Sequence, residues 1–342
     1  MESVHINYLE LAEELLQVAQ KFAISDGVVS EVYHFGSKSI QVLAKSSCRP
    51  DGINPMDGLI KNFTDNFADY TIIFLDALAT NYTPEIKHFD RHDSPLGQVR
   101  THLTKPYRIA LDIHTSTVQV HDPRSAVVVI WCADVNQYPY WAAATPFRLA
   151  LAWIADTFDG EMLHGASIEH GNECLILAGR SGAGKSTFTF LAQEYGFRIL
   201  SDDYFLYESG RMYPVYTRGK LHDASVKFFP SKSLKVINPD SEGQKRIILF
   251  DSQILRTMCG GVEAKAYLVP QGPEKISLDK ISTGEVFRHL APYSSSGLLG
   301  GLERSFLRTK RAISEKPAFR IQLKRPKSEL MRDLERIFDE AK

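Results

Sequence analysis

One segment of this 342-residue chain constrains the fold more than any other, because an apolar run passes directly into a glycine-rich stretch. The run at residues 174–178 (CLILA) is typical of a strand that is buried on both faces of a sheet. The residues that follow match the pattern G-x-x-x-x-G-K-[ST]: Gly179, Arg180, Ser181, Gly182, Ala183, Gly184, Lys185 and Ser186. Helix-forming residues come next, so the segment predicts a strand, a tight loop and a helix.

The chemistry of this pattern is phosphate binding by a P-loop. Its glycines allow backbone N–H groups to turn toward phosphate oxygens, and the N-terminus of the following helix adds partial positive charge. Lys185 is expected to reach the β- and γ-phosphates of ATP, and the Ser186 hydroxyl is expected to coordinate Mg²⁺. With Thr187 added to the nucleotide-binding set, the segment predicts ATP and Mg²⁺ as cofactors.

Two adjacent carboxylates, Asp202 and Asp203, follow a second apolar segment at residues 197–200. The order strand, loop, helix, turn and strand predicts a β-α-β unit, with this segment beside the strand that precedes the glycines. The carboxylates would then face the phosphate crevice at the carboxyl ends of the strands. One of them would hold Mg²⁺ while the other accepts a proton from an attacking hydroxyl.

The hydrophobic pattern divides the chain into two halves. Residues 8–22 and 146–158 have helical spacing. Short strand-like runs occupy residues 70–75, 107–113, 117–120 and 126–131. Because domains usually span about 100–200 residues, we predict a smaller strand-rich α+β domain over 1–155, for acceptor selection or assembly. A nucleotide-binding catalytic domain is predicted over 156–342.

Composition excludes several classes of function. The chain has 40 Lys and Arg residues against 41 Asp and Glu residues, so its net charge of −1 gives no electrostatic reason to expect nucleic-acid binding. The longest apolar run, at 126–133, is far shorter than the roughly 20 residues of a membrane helix. Four scattered cysteines and no signal-peptide pattern indicate a cytoplasmic protein without a membrane partner.

A histidine upstream of the glycines is a further candidate. Residues 163–169 are predicted to form one strand that turns at 170–172 and pairs in a hairpin with the strand before the glycines. This hairpin would bring His164 near the phosphates, although a lone histidine is more often structural.

Three segments, in this order and spacing, resemble HPr kinase/phosphorylase and related P-loop serine kinases: HGASI at 164–168, GRSGAGKST at 179–187 and GFRILSDD at 196–203. The resemblance covers about residues 160–342. It implies an α/β fold with a P-loop kinase core of the HPr kinase/phosphoenolpyruvate carboxykinase type. It also implies that His164 is an active-site histidine, that Asp203 is the base that deprotonates a target serine, and that Asp202 is the metal partner.

The sequence departs from that family at one informative place. Bifunctional members carry a glutamate two residues before an Arg-Gly pair, whereas Tyr216 stands two residues before Arg218 here. The departure argues against phosphorolysis and leaves a second metal ligand to another residue, for which Asp223 is a candidate. Arg180 and Arg218 are candidates for a second positive group at the transition state.

The sequence therefore predicts an ATP-dependent kinase that phosphorylates a hydroxyl, with serine of a protein or peptide as the favoured acceptor. A small-molecule kinase of the same fold and a nucleotide-binding regulator or ATPase are the alternatives. A homo-oligomer would fit the family. The intact Asp202-Asp203 pair argues against the regulator, because a degenerate site does not need both carboxylates.

Overall fold

The computed structural model describes residues 7–45, 54–63, 67–84, 100–112, 114–227, 229, 235–238, 245–271, 278–294, 303–314, 316–323 and 326–340. The chain has a mixed α/β fold with several sheets. It divides into two compact units, the first comprising Met1–His34, Lys38–Asp57 and Lys61–Thr157, and the second Phe35–Ser37, Gly58–Ile60 and Phe158–Lys342. Within the described residues, no helix has the length and apolar character needed to cross a membrane.

The first part of the chain contains four helices and seven strands among its described residues. In chain order they are α1 (Tyr8–Ala23), β1 (Val28–Phe35), β2 (Lys38–Lys45), β3 (Tyr70–Asp76), α2 (Ala77–Thr80), β4 (Arg100–Thr104), β5 (Tyr107–Asp112), β6 (Thr117–Asp122), β7 (Val127–Cys132), α3 (Tyr140–Ala144) and α4 (Arg148–Thr157). Short 3-10 helices lie at Pro55–Gly58 and Val135–Gln137.

The seven strands form one sheet in the order β1-β2-β3-β7-β6-β5-β4. β3 is parallel to both of its neighbours, and the strands from β7 to β4 are antiparallel. Helix α1 packs on this sheet because its buried stripe, including Leu15 and Phe22, meets Ile73 and Trp131. The two helices predicted in this half and its four predicted strands are confirmed, with ends that differ by at most two residues.

The remainder of the chain contributes twelve strands and six helices among its described residues. They are β8 (Glu161–His164), β9 (Ala166–His170), β10 (Glu173–Leu177), α5 (Lys185–Gln193), β11 (Arg198–Ser201), β12 (Tyr204–Glu208), β13 (Arg211–Pro214), β14 (Arg218–His222), α6 (Asp223–Val226), β15 (Lys235–Val236), β16 (Lys245–Leu249), α7 (Ser252–Thr257), β17 (Val262–Gln271), β18 (Asp279–Lys280), α8 (Thr283–Leu290), α9 (Glu303–Ser314), β19 (Ala318–Gln322) and α10 (Lys327–Glu340). A short 3-10 helix at Ala291–Tyr293 follows α8.

The second unit is built on a nine-stranded sheet whose main path is β11-β9-β10-β17-β13-β12-β8, with β19 paired to β17 and β18 paired to β19. β8 continues into β9 through Gly165, and β11 continues into β12 through Asp202 and Asp203. β9 is antiparallel to β11, and β8 is antiparallel to β12. These two bent strands therefore form one long ladder, which is interrupted at the two aspartates.

This ladder corrects two sequence predictions. The prediction of a single strand over 163–169 is wrong. The strand is interrupted at Gly165, and its two parts, β8 and β9, pair with different strands. The expectation that the segment at 197–200 lies beside β10 is also wrong, because antiparallel β9 lies between β10 and β11. The predicted hairpin itself is confirmed, since β9 pairs with β10 in antiparallel register.

β10 is buried on both of its faces, as the apolar run predicts. Cys174 and Ile176 join one hydrophobic cluster, while Leu175 and Leu177 join another, so alternate side chains pack on opposite sides of the sheet. A separate three-stranded sheet, in the order β14-β16-β15, also contributes side chains to the first cluster. This packing holds β14 against the main sheet.

Candidate active site

The loop between β10 and α5, residues 178–184, is called the glycine loop below. Gly182 has φ +79° and Gly184 has φ +92°, backbone conformations that side-chain-bearing residues rarely adopt. Gly184 is the residue immediately before α5, so the loop delivers Lys185 and Ser186 as the first residues of that helix. Arg180 is exposed within the loop.

Lys185 is buried against the glycine loop. Its Nζ donates hydrogen bonds to the backbone oxygens of Gly179, at 2.6 Å, and of Arg180, at 3.2 Å. Burial lowers the pKa of Lys185, and the charges of Asp203 and Asp202 act in the opposite direction. The ammonium therefore lies within electrostatic reach of both carboxylates.

Asp202 is held by the backbone of β14. The Lys220 N–H donates to Asp202 Oδ2 at 2.7 Å. The close approach requires glycine at 219, because a Cβ there would lie 2.9 Å from the Cβ of Asp202. Burial and then the neighbouring charge of Asp203 raise the pKa of Asp202, although the Lys220 N–H, the Ser186 hydroxyl and the Lys220 charge offset part of this effect. Asp202 Oδ1 is buried and has no hydrogen-bond partner within the described residues.

Asp203 lies between two nitrogen-bearing side chains. His164, at the end of β8, places Nδ1 3.2 Å from Asp203 Oδ1, and the Lys220 ammonium forms an ion pair with Oδ2. Burial alone would raise the pKa of Asp203, but the Lys220 charge and His164 outweigh it and hold the pKa well below its usual value. The Asp203 carboxylate is therefore ionised in the folded protein.

His164 is fixed by its surroundings as well as by Asp203. Its backbone N–H donates to the Ser294 hydroxyl at 3.0 Å, and its ring packs edge-on against Tyr204 at a centroid distance of 4.9 Å. The Gly165 N–H donates to the backbone oxygen of Asp203 at 2.9 Å, which ties the two bent strands together at the site. The histidine is thus brought to the aspartates by the ladder.

The residues predicted at the site fall into two groups. His164, Lys185, Ser186, Asp202 and Asp203 form one interacting cluster. Thr187 lies outside this cluster, with its hydroxyl 3.1 Å from that of Ser225. Arg180 is exposed, Arg218 is buried on β14, and Asp223 pairs with Arg246 at 2.5 Å, so its carboxylate is engaged elsewhere.

Sequence reasoning missed Lys220, which contacts both aspartates. The available signal was its position directly after Arg218 and Gly219, in a segment already singled out for its missing glutamate. A lysine at that position belongs to no sequence motif. Its role becomes visible only in the structure, where β14 lies next to Asp202.

The cluster fits a magnesium ion by its donor chemistry. Mg²⁺ prefers oxygen ligands and is commonly held by one or two protein oxygens together with nucleotide phosphates and water. Two ligands of this kind are present: the Ser186 hydroxyl, and Asp202 Oδ1, which has no hydrogen-bond partner among the described residues. Groups of three or more His, Cys, Asp or Glu side chains arranged to hold a metal by themselves are absent from the described part of the chain.

Comparison with known proteins adds little to this geometry. No family model matches the sequence, and no curated protein matches it. Among solved structures, the chain is similar to the HPr(Ser) kinase/phosphatase from Coxiella burnetii, with 12% identity and a TM-score of 0.27. That match covers 52% of this chain and 94% of the other. A likeness of this size does not carry an argument about fold or activity.

Proposed function

We propose that this protein is an ATP-dependent kinase that transfers the γ-phosphate to a hydroxyl group, with serine of a protein or peptide as the acceptor. One observation carries the proposal: Lys185 and Ser186, at the start of α5, interact with Asp202 and Asp203 on the neighbouring ladder. A glycine-rich loop with a lysine, placed beside carboxylates, is an arrangement with which P-loop enzymes transfer phosphoryl groups.

The glycine loop and Lys185 would bind the nucleotide phosphates. Backbone N–H groups of the loop and the N-terminus of α5 would face the phosphate oxygens. The Lys185 ammonium would replace its hydrogen bonds to the two loop carbonyl oxygens with bonds to phosphate oxygens. Asp202 and Ser186 would hold Mg²⁺, which neutralises phosphate charge when it is bound. Burial of Asp202 strengthens its attraction for a cation, because little water competes there.

Asp203 would receive the proton of the attacking hydroxyl. Its low pKa makes it a weak base at the outset, but phosphoryl transfer proceeds through a loose transition state in which the hydroxyl becomes acidic only as the bond to phosphorus forms. An ionised carboxylate held by Lys220 and His164 can therefore orient the hydroxyl first and accept its proton late. The serine acceptor follows from the three-segment resemblance.

Nucleotide binding is the first experimental test. We expect isothermal titration calorimetry to detect binding of ATP with Mg²⁺ to the wild-type protein. Lys185→Met should weaken this binding by about tenfold or more, because the phosphates lose the ammonium group that binds them. Lys21→Met, at the end of α1 in the first unit, is the matched control and should bind as the wild type does. Absence of nucleotide binding at millimolar ATP would refute the proposal.

The fate of the phosphate is the second test. Incubation with ATP labelled in the γ-position should place label on a protein or peptide acceptor. Label on small molecules alone would favour a metabolite kinase, and release of phosphate independent of any acceptor would favour an ATPase.

A further inference from the structure

Lys220 engages both aspartates through two different groups. Its backbone N–H binds Asp202 at 2.7 Å, and its side-chain ammonium binds Asp203. The side chain of Lys220 is only 16% exposed, so this ion pair is largely shielded from water. The Coulomb attraction between such shielded charges is stronger than that between the exposed charges of a protein surface.

The structure gives the two carboxylates unequal freedom to bind a metal ion. Both oxygens of Asp203 already face nitrogen groups, with His164 Nδ1 near one and Lys220 Nζ at the other. Asp202 instead keeps a buried oxygen without a hydrogen-bond partner in the described part of the chain. A divalent ion bound at Asp203 would also lie close to a permanent positive charge, which repels it.

β14 holds the backbone of Lys220 close to the aspartates. In the small sheet Lys220 pairs with Ile247 of β16, and Gly219 packs so closely that a Cβ there would lie 2.5 Å from the Phe250 ring. Gly219 therefore lies between the Phe250 ring and Asp202, and pairing with β16 holds the backbone that carries Lys220 in this position.

We propose that the Lys220 ammonium occupies the place beside Asp203 that a second divalent ion would need, so that the nucleotide-loaded site takes a single divalent ion, at Asp202 and Ser186. The inference rests on the proposed function. Many phosphoryl-transfer sites use two metal ions that lie about 3.5–4 Å from each other. Here the lysine supplies the second positive charge, and it is a positioning residue that holds Asp203 toward the acceptor.

The test is a count of bound Mn²⁺ by electron paramagnetic resonance, with the non-hydrolysable analogue AMP-PNP present. We expect one Mn²⁺ per chain in the wild type. Lys220→Gln should bind two, because Asp203 loses its cation while the backbone bond to Asp202 remains. Lys220→Arg keeps the charge and should bind one. Lys245→Gln, a lysine on the adjacent strand β16, is the matched control and should also bind one.

The outcomes separate this inference from the proposed function. Two Mn²⁺ in the wild type, or one in a folded Lys220→Gln protein, would overturn the inference while leaving the kinase proposal in place. If the wild type binds neither Mn²⁺ nor AMP-PNP, the proposed function fails and the inference fails with it. If Lys220→Gln does not fold, Lys220→Met removes the same ammonium group. The number of Mn²⁺ ions bound by the wild type tests the inference without any variant.

Discussion

We expect the stability of the first unit to depend on pH, because that unit contains a buried histidine. His121, on β6, is fully buried and stacks on Trp153 of α4, with ring centroids 6.0 Å apart. Neither ring nitrogen has a hydrogen-bond partner within the described residues. Burial lowers the pKa of His121 to about 4, and the Arg108 charge adds to this effect, whereas Asp122 and Asp156 oppose it.

The sign and size of the effect follow from this shift. In the unfolded chain His121 binds a proton below about pH 6.5, and in the folded chain only below about pH 4. Between these values the unfolded state binds more protons, so the free energy of unfolding falls as the pH falls. One pKa unit corresponds to about 1.4 kcal/mol. His121 therefore lowers the free energy of unfolding by about 2 kcal/mol at pH 5 relative to pH 7.5, and by about 3 kcal/mol below pH 4.

Urea unfolding followed by tryptophan fluorescence measures this loss. All three tryptophans of the chain lie in the first unit, so the signal reports the unit that contains His121. Between pH 7.5 and pH 5, we expect the free energy of unfolding to fall by about 2 kcal/mol less in His121→Leu than in the wild type. His114→Gln changes an exposed histidine of the same unit and should leave the wild-type dependence unchanged. Equal pH dependence in wild type and His121→Leu would refute the reasoning.

Two further predictions concern the candidate site. Asp203→Asn should lower turnover by about 10²–10⁴-fold while changing ATP affinity only a few fold, because it removes the proton acceptor. Steady-state kinetics with labelled acceptor measure this effect, and Asp251→Asn, at the N-cap of α7, is the control. Unchanged turnover in Asp203→Asn would show that Asp203 is not the proton acceptor. Gly219→Ala should cost about 1–3 kcal/mol of stability, since its Cβ would lie 2.5 Å from the Phe250 ring. Thermal unfolding tests this against Gly260→Ala, where no atom lies within 4 Å, and equal melting temperatures for the two variants would contradict the packing argument.

Much of the local structure could be predicted from short stretches of sequence. Helix α1 and strand β10 follow from their hydrophobic periods, and their observed bounds are within two residues of the expected ones. Strands β1 and β2 were missed, because they carry polar residues such as Ser30, Glu31 and Gln41 among their apolar ones. Alternation that is interrupted in this way is a weak signal.

Strand pairing could not be predicted from the same patterns. A glycine such as Gly165 inside a strand pattern is a local signal for a bend, but no local signal indicates that β9 separates β10 from β11. Pairing is decided by contacts between residues far apart in sequence, as when Gly165 binds the backbone of Asp203. Periodicity specifies which face of a strand is buried but not which strand lies beside it.

Local chemistry is enough to predict several parts of the site: the tight turn of the glycine loop, the helix that begins at Lys185, and a pair of carboxylates after a short strand. The groups that contact those carboxylates depend instead on how distant segments pack together. β14 arrives from another sheet and places Lys220 against Asp203, while Asp202 keeps an unpartnered oxygen among the described residues. The reason is physical, since the charge state and the ligands of a buried carboxylate depend on its neighbours in space, and the order of strands selects those neighbours.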